Sequence, residues 1–377
     1  MKSVLGALGV RPVINAAGTL TRLGGVLMDP EVVAAMAEAA RHFIDMEDAQ
    51  ARVGARTATL LGVPAAHVCA GASAGIVVAT AACLTGDDPA RIAALPAVTG
   101  PRREVIVHRS HRNDYDRAVR VAGAELVEIG NAGHTSLREL DSVIGPATAA
   151  ILLFEAFAGP ASLSLSEVVA VARRHGVPVI VDAAAELPPL RNLAHFLEAG
   201  ADLAIFSGGK DIGGPQTTGL LVGRPDLVRA AAMNASPHAS VGRSMKVGKE
   251  ELAGFLRAIE IYVARDHGQR LVEWEAQVAH MVAALEGIPS IRVFRKCPVE
   301  GGIRPAHIPR AYVAFEGGSP AILRSRAVDR LWRHDPPIAV GEWEGGLALN
   351  PQTLGAGEER VVGRALAAIL REITGGR

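Results

Sequence analysis

No charge of either sign dominates this chain: 39 Lys and Arg balance 39 Asp and Glu, so the formal net charge is zero. A global positive field that would draw in nucleic acid or an anionic membrane is therefore missing, which argues against both as partners. Cysteine is scarce. Cys69, Cys83 and Cys297 are odd in number and lack metal-ligand spacing, so no metal is expected and a reduced, cytoplasmic compartment is the natural reading. The opening MKSVLGALGVRPVIN has only a short apolar run, broken by Arg11, which does not make a secretory signal. The longest membrane-like stretch, 57–86, contains Pro64 and four glycines, Gly62, Gly71, Gly75 and Gly86. It reads as a buried strand, a glycine-rich turn and a buried helix rather than a membrane span. No internal repeat and no low-complexity linker is present.

What is present suits an ordinary globular protein. Hydrophobic residues make up 49% and charged residues 21% of 377 positions, and at about 150 residues per domain the length favours two domains. Short β-branched runs alternate with helical stretches from about 57 to 222, the pattern of parallel βαβ units. The predicted strands are HVCA at 67–70, EVIVH at 104–108, AELVEIG at 124–130, AAILLFE at 149–155, VPVIVDA at 177–183, ADLAIFS at 201–207 and GLLVG at 219–223. Several are apolar on both faces, so helices should cover both sides of the sheet. SEVVAVARRHG is a helix that Ser166 can cap and Gly176 can end. DPEVVAAMAEAARHF is an amphipathic helix opened by Asp29, with Pro30 in its first position. A long helical segment from Lys249 to Gly287, with a break near Asp266 to Gly268, leads to strand-like runs such as AYVAFE and a last helix, EERVVGRALAAILREI. The expected domains are an N-terminal segment (1–50), a large domain (51–265) and a small C-terminal α+β domain (266–377).

Four motifs carry chemistry. In ADLAIFSGGKDIGGPQTTGLLVG a strand ends at Ser207 and a lone Lys210 lies between glycine pairs, at a strand end where a parallel sheet opens. By itself this is also the pattern of a surface lysine in a turn. In VPVIVDAAAELPP an apolar strand delivers Asp182 at its carboxyl end. A carboxylate there needs a partner, and Asp182 could serve as a helix cap. A lysine with an acidic partner for a pyridine nitrogen is instead the arrangement that pyridoxal phosphate requires. In HVCAGASAGIVVATAAC small residues open a helix after a strand, so backbone N–H groups and the helix dipole can hold a phosphate. The spacing is neither a Walker loop nor G-x-G-x-x-G, and a plain strand-to-helix turn reads the same way. In EVIVHRSHRNDYDRAVRVAG, His111 at the start of the next helix could lie flat on an aromatic ring, whereas His108 stays close to the strand. A metal pair would need a third ligand, which is not evident.

Together these motifs resemble the fold-type I pyridoxal-phosphate enzymes, in particular the group related to bacterial selenocysteine synthase (L-seryl-tRNA selenium transferase) and D-glucosaminate-6-phosphate ammonia-lyase. The resemblance runs from INAAGTLTRLGG (14–25) through ARVGAR (51–56) and SGGKDIGGPQTTG (207–219) to KVGKEELAGFLRAIEIY (246–262), over roughly residues 12–265. It implies an α/β large domain with a mostly parallel seven-stranded sheet, a smaller α+β domain and pyridoxal 5'-phosphate as cofactor. It also implies that Lys210 forms the Schiff base, Asp182 pairs with the ring nitrogen and His111 stacks on the ring. Ala72, Ser73 and Ala74 with Ser207 would hold the phosphate, and Gln216 and Thr217 would sit near a neighbouring subunit's cofactor in a homodimer or larger homo-oligomer. Two departures stand out. The matching segment begins almost at Met1, where selenocysteine synthases carry an extra tRNA-binding domain, which makes tRNA a poor substrate. Near the C-terminus this chain reads IAVGEWEGGLALNPQTL, with Glu342 and Gln352 where those enzymes have an arginine-containing strand pair. Arg22, Arg52, Arg56 and Arg243 are therefore the candidates for a substrate anion, each equally readable as a surface ion pair.

The expected activity is α,β-elimination from an amino acid, or a sugar-derived amino acid, releasing ammonia and a 2-keto acid. The alternatives are an aldolase, racemase or aminotransferase acting on a small amino acid, or a selenium-transferase-like enzyme that does not use tRNA. Outside this fold, a Rossmann-type nucleotide-binding protein would use Asp182 on a ribose, needing a glycine fingerprint after the first strand and no Lys210. A regulatory homologue without turnover would not need Lys210, Asp182 and His111 intact.

Overall fold

The computed structural model describes residues 4–298 and 304–375. They fall into two compact units: Met28–Arg265 together with Arg304, and a smaller unit of residues 4–27, 266–298 and 305–375.

The larger unit is organised by seven strands, and the smaller unit contributes β1 (Ile14–Ala16) ahead of them. The seven are β2 (Ala66–Cys69), β3 (Glu104–His108), β4 (Glu125–Ile129), β5 (Thr148–Phe154), β6 (Val179–Asp182), β7 (Leu203–Ser207) and β8 (Gly219–Gly223). Their order across the sheet is β2-β8-β7-β6-β5-β3-β4. β3 to β7 are mutually parallel, and β8 alone runs against both its neighbours. The sheet is thus mostly parallel, and the strands expected from the sequence occur within two residues of their predicted ends. β5 and β8 are buried at every position, and successive residues feed opposite cores. Ile151, Leu153 and Val181 join one cluster, while Leu152, Ile180 and Ile205 join the other. This alternation is the period-two pleat of a strand covered on both faces.

The helices start and stop for local reasons. Asp29 caps Pro30–Ala39 by accepting from the Glu31 N–H at 2.9 Å. The helix Leu165–His175 ends at Gly176, which takes φ 63°. Its N-cap is Ser164 and not Ser166: the Ser164 Oγ accepts from the Glu167 N–H, and Glu167 accepts from the Ser164 N–H at 2.8 Å. Glu167 stands three residues after Ser164, the spacing a capping box requires, and that decides between the two serines. The long C-terminal helical stretch breaks where expected, into Lys249–Ala264 and His267–Leu285, with Asp266 capping the second.

In the smaller unit, β9 (Ile291–Lys296), β10 (Arg310–Phe315), β11 (Ile338–Trp343) and β12 (Gly346–Leu349) join β1 in the order β1-β11-β12-β10-β9. β1 pairs parallel with β11, and the remaining pairs are antiparallel. Helices His267–Leu285 and Glu358–Ile373 bury Val278, Met281, Leu366 and Leu370 with strand residues such as Val313 and Leu347.

Candidate active site

Four adjacent parallel strands end at one edge of the large sheet, where open α/β sheets hold their ligands. β3 ends at His108, and His111 follows in the 3-10 turn Arg109–His111 rather than at a helix start. β5 ends at Phe154, with Glu155 next; β6 ends at Asp182; β7 ends at Ser207, and Lys210 lies in the loop that follows. The loop is pinned by its own backbone. The Gly208 N–H donates to the Thr218 carbonyl at 2.8 Å, and the Gly214 N–H donates to the Gly208 carbonyl at 2.9 Å. The Thr218 hydroxyl closes the turn on the Pro215 carbonyl at 2.6 Å.

Asp182 is buried, and its Oδ1 accepts from the Ala184 N–H at 2.9 Å. Burial raises its pKa, opposed by that hydrogen bond and by the charge of Lys210. Lys210 is partly exposed, and its surroundings lower its ammonium pKa by desolvation, opposed by Asp182 and Glu186. Each group is thus the counter-charge that makes the other tolerable.

His111 is 1% exposed. Its Nδ1 accepts from the Phe154 N–H at 3.3 Å, which assigns the proton of the neutral ring to Nε2. Nε2 is buried without a hydrogen-bond partner. Burial, then the neighbouring His108, push the His111 pKa down to about 3, so the ring is neutral near pH 7. His108 accepts from the Leu163 N–H at 3.3 Å, its ring centroid lies 4.8 Å from that of His111, and burial lowers its pKa to about 4.

The helix Ala72–Thr85 begins at Gly71, in a left-handed conformation (φ 87°) with no side chain capping the first turn. A Cβ on Gly219, the first residue of β8, would lie 2.5 Å from the Gly71 carbonyl carbon and 2.8 Å from the Ala72 nitrogen. The strand and the helix start can meet only because both positions are glycine. The uncapped N–H groups of Ala72, Ser73 and Ala74 are what an anion needs at a helix N-terminus. An unpartnered ring donor, an uncapped helix start and a buried aspartate beside a half-buried lysine on neighbouring strand ends fit pyridoxal phosphate. Among the described residues, no three His, Cys, Asp or Glu side chains gather as metal ligands.

The other sequence candidates are spread out. Ser207 ends β7, whereas Gln216 and Thr217 are exposed in the Lys210 loop. Arg52 pairs with Asp48 at 2.7 Å and Arg56 with Glu260 at 3.2 Å, both on the surface. Arg243 is exposed, and Arg22 lies in a 3-10 turn of the smaller unit. In the same unit Glu342 pairs with Arg324 at 3.2 Å and Gln352 is buried.

Sequence reading missed a second charged group at this edge. Arg304 Nε donates to Glu186 Oε1 at 3.1 Å, and Arg304 Nη2 donates to the Glu155 carbonyl at 3.2 Å. The Arg304 and Glu186 side chains are only 12% and 10% exposed. Burial pushes the Glu186 carboxyl up to about 7 despite Arg304, with Glu155 and Asp182 adding to the rise. Burial raises Glu155 as well, opposed by Arg304. Glu186 had a signal, as a lone acid in an apolar strand exit four residues after Asp182. Arg304 had none, since 118 residues separate it from its partner.

Sheet order, edge chemistry and the smaller α+β unit define a fold-type I pyridoxal-phosphate enzyme. A serine palmitoyltransferase holding pyridoxal phosphate shares the fold, with a TM-score of 0.62 over 97% of this chain and 89% of that one at 17% identity. The family model of L-seryl-tRNA selenium transferase matches residues 13–282, and the chain belongs to that family. It is 35% identical to the D-glucosaminate-6-phosphate ammonia lyase of Salmonella typhimurium over 74% of this chain and 75% of that one. A solved D-glucosaminate-6-phosphate ammonia-lyase covers 99% of both chains, with a TM-score of 0.81 and 28% identity. A 5'-C-glycyluridine monooxygenase-decarboxylase from a Streptomyces species is 33% identical over 95% of this chain and 90% of that one.

Proposed function

We propose that this protein is a pyridoxal-phosphate lyase that performs α,β-elimination on an amino acid, with phosphorylated sugar-derived amino acids as the leading substrate class. The observation that carries this reading is the lysine–aspartate pair on neighbouring strands, where Asp182 ends β6 and Lys210 follows β7. Pyridoxal phosphate bound there supplies an electron sink for negative charge developing at the substrate α carbon. Asp182 as a carboxylate would hold a proton on the ring nitrogen. His111 would lie against the ring, and Ala72, Ser73, Ala74 and Ser207 would bind the phosphate. Lys210, with its ammonium pKa lowered by burial, would take the proton from the α carbon as general base. Loss of the β-hydroxyl as water then leaves an enamine, which hydrolyses to a 2-keto acid and ammonia.

Likeness to the ammonia lyase along nearly the whole length supports this reading over racemisation or transamination. A second reading, oxidative decarboxylation with dioxygen as oxidant, is supported by the Streptomyces relative. We also propose a cytoplasmic homodimer or larger homo-oligomer. Val33, Phe43 and Ile44 are exposed on the large unit, and a symmetric interface would cover them. No described helix is long and apolar enough to cross a membrane.

The deciding experiment incubates the protein, loaded with pyridoxal phosphate, with D-glucosaminate 6-phosphate and a panel of β-hydroxy amino acids, with and without air. Ammonia and 2-keto acid released equally under both conditions are the expected result. Carbon dioxide release that stops without dioxygen would replace elimination with the second reading.

A further inference from the structure

Elimination of a hydroxyl needs two proton transfers, and Lys210 accounts for one. Hydroxide is a poor leaving group, so the departing oxygen needs a proton donor of its own. Glu186 stands at the same strand edge as Lys210 and Asp182 and interacts electrostatically with both. Its backbone N–H closes a turn on the Ala183 carbonyl at 3.1 Å, directly after β6 delivers Asp182. The Asn192 side chain fixes the far end of that turn through the Glu186 carbonyl at 2.7 Å. Glu186 is 9% exposed. The charged groups acting on it are Arg304 by a direct hydrogen bond, and Glu155, Asp182 and Lys210 through space. Two of the three neighbours other than Arg304 are carboxyl groups, which favour a proton on Glu186, whereas Arg304 favours its removal.

We propose that Glu186 is the acid that protonates the β leaving group, with Arg304 setting its charge. This rests on the elimination reading above. The Cα–H bond breaks first: its proton goes to Lys210, and its electron pair is held at the α carbon by the electron sink that bound pyridoxal phosphate would supply. That pair then forms the Cα=Cβ double bond as the Cβ–O bond breaks, and the oxygen takes the Glu186 proton and leaves as water. The proton gained by Lys210 then returns to the Glu186 carboxylate, directly or through solvent, and the site is restored.

The test compares wild type with Glu186→Gln on serine and β-chloroalanine, each as both enantiomers, following ammonia and pyruvate release. Chloride leaves without a proton, so the variant should lose about 10²–10⁴-fold on serine and stay within a few-fold on β-chloroalanine. Solvent deuterium should still exchange into Cα, because that step uses Lys210. Independently of turnover, the infrared band of a protonated carboxyl should fade in wild type as pH rises through about 7 and be missing from Glu186→Gln. In Arg304→Gln the same band should persist to higher pH. Equal slowing on both leaving groups, or no change in the infrared band, would overturn the assignment while leaving elimination intact. Failure of wild type to release ammonia from β-chloroalanine or any hydroxy substrate would remove the elimination reading and this role with it.

Discussion

At Lys210, burial and two carboxylates pull the amine in opposite directions. The net direction is downward, so the amine gives up its proton more readily than a free lysine does, which is the shift a nucleophile and general base needs. Lys210→Ala should therefore abolish the visible absorption band of the cofactor-loaded protein, which borohydride bleaches in wild type, and cut turnover by at least about 10²–10⁴-fold. Asp182 and His111 should then be judged by the spectrum as well as by the rate. Glu186 offers a stability test at the same scale. Its folded pKa, about 7, lies above the ordinary glutamate value of 4.5, so between those values the folded state holds a proton that the unfolded chain has already lost. Stability contributed by this group is present at low pH and lost as pH rises between those values. Urea midpoints of Glu186→Gln should therefore gain on those of wild type as pH is raised from about 5 to about 8, and a constant difference would contradict this.

At the scale of elements, the helix Leu165–His175 separates two serines that look alike in the sequence. Ser164→Ala breaks the capping box and should cost about 1 kcal/mol in denaturant unfolding, whereas Ser166→Ala, on the exposed first turn, should be nearly neutral. Gly219→Ala places a methyl against Gly71 and Ala72, so the helix start must move. The expected cost is about 1–3 kcal/mol, with weaker binding of pyridoxal phosphate measured by fluorescence titration. Much of this level was legible beforehand, because strand ends, proline starts and glycine stops are written in a few adjacent residues. Asp29, Gly176 and Asp266 did what their positions suggested. Ser166 misled because two serines lie within three residues and only the spacing to Glu167 distinguishes them. His111 was placed one element too late, since a 3-10 turn precedes the helix Arg117–Val121.

At the scale of the whole molecule, the large unit leaves Phe43 fully exposed beside Ile44. If these residues meet a second copy, Phe43→Asp should shift the sedimentation coefficient toward that of a 39.2 kDa monomer. Activity should fall with it if Gln216 and Thr217 complete a neighbouring site, while the circular dichroism spectrum stays unchanged. Assembly that persists in this variant would move the interface elsewhere.

The sequence by itself determined the strands and most helices, the two-sided burial of the sheet, and the positions of Lys210 and Asp182 at strand ends. Those features follow from hydrophobic periodicity and capping chemistry over a few residues. Tertiary structure alone decided that β8 runs against its neighbours and that β1 pairs with β11 across the chain. It also decided that Arg304 meets Glu186. The β1–β11 and Arg304–Glu186 contacts join residues far apart in the chain, and the direction of a strand buried on both faces, as β8 is, is not written in its apolar pattern.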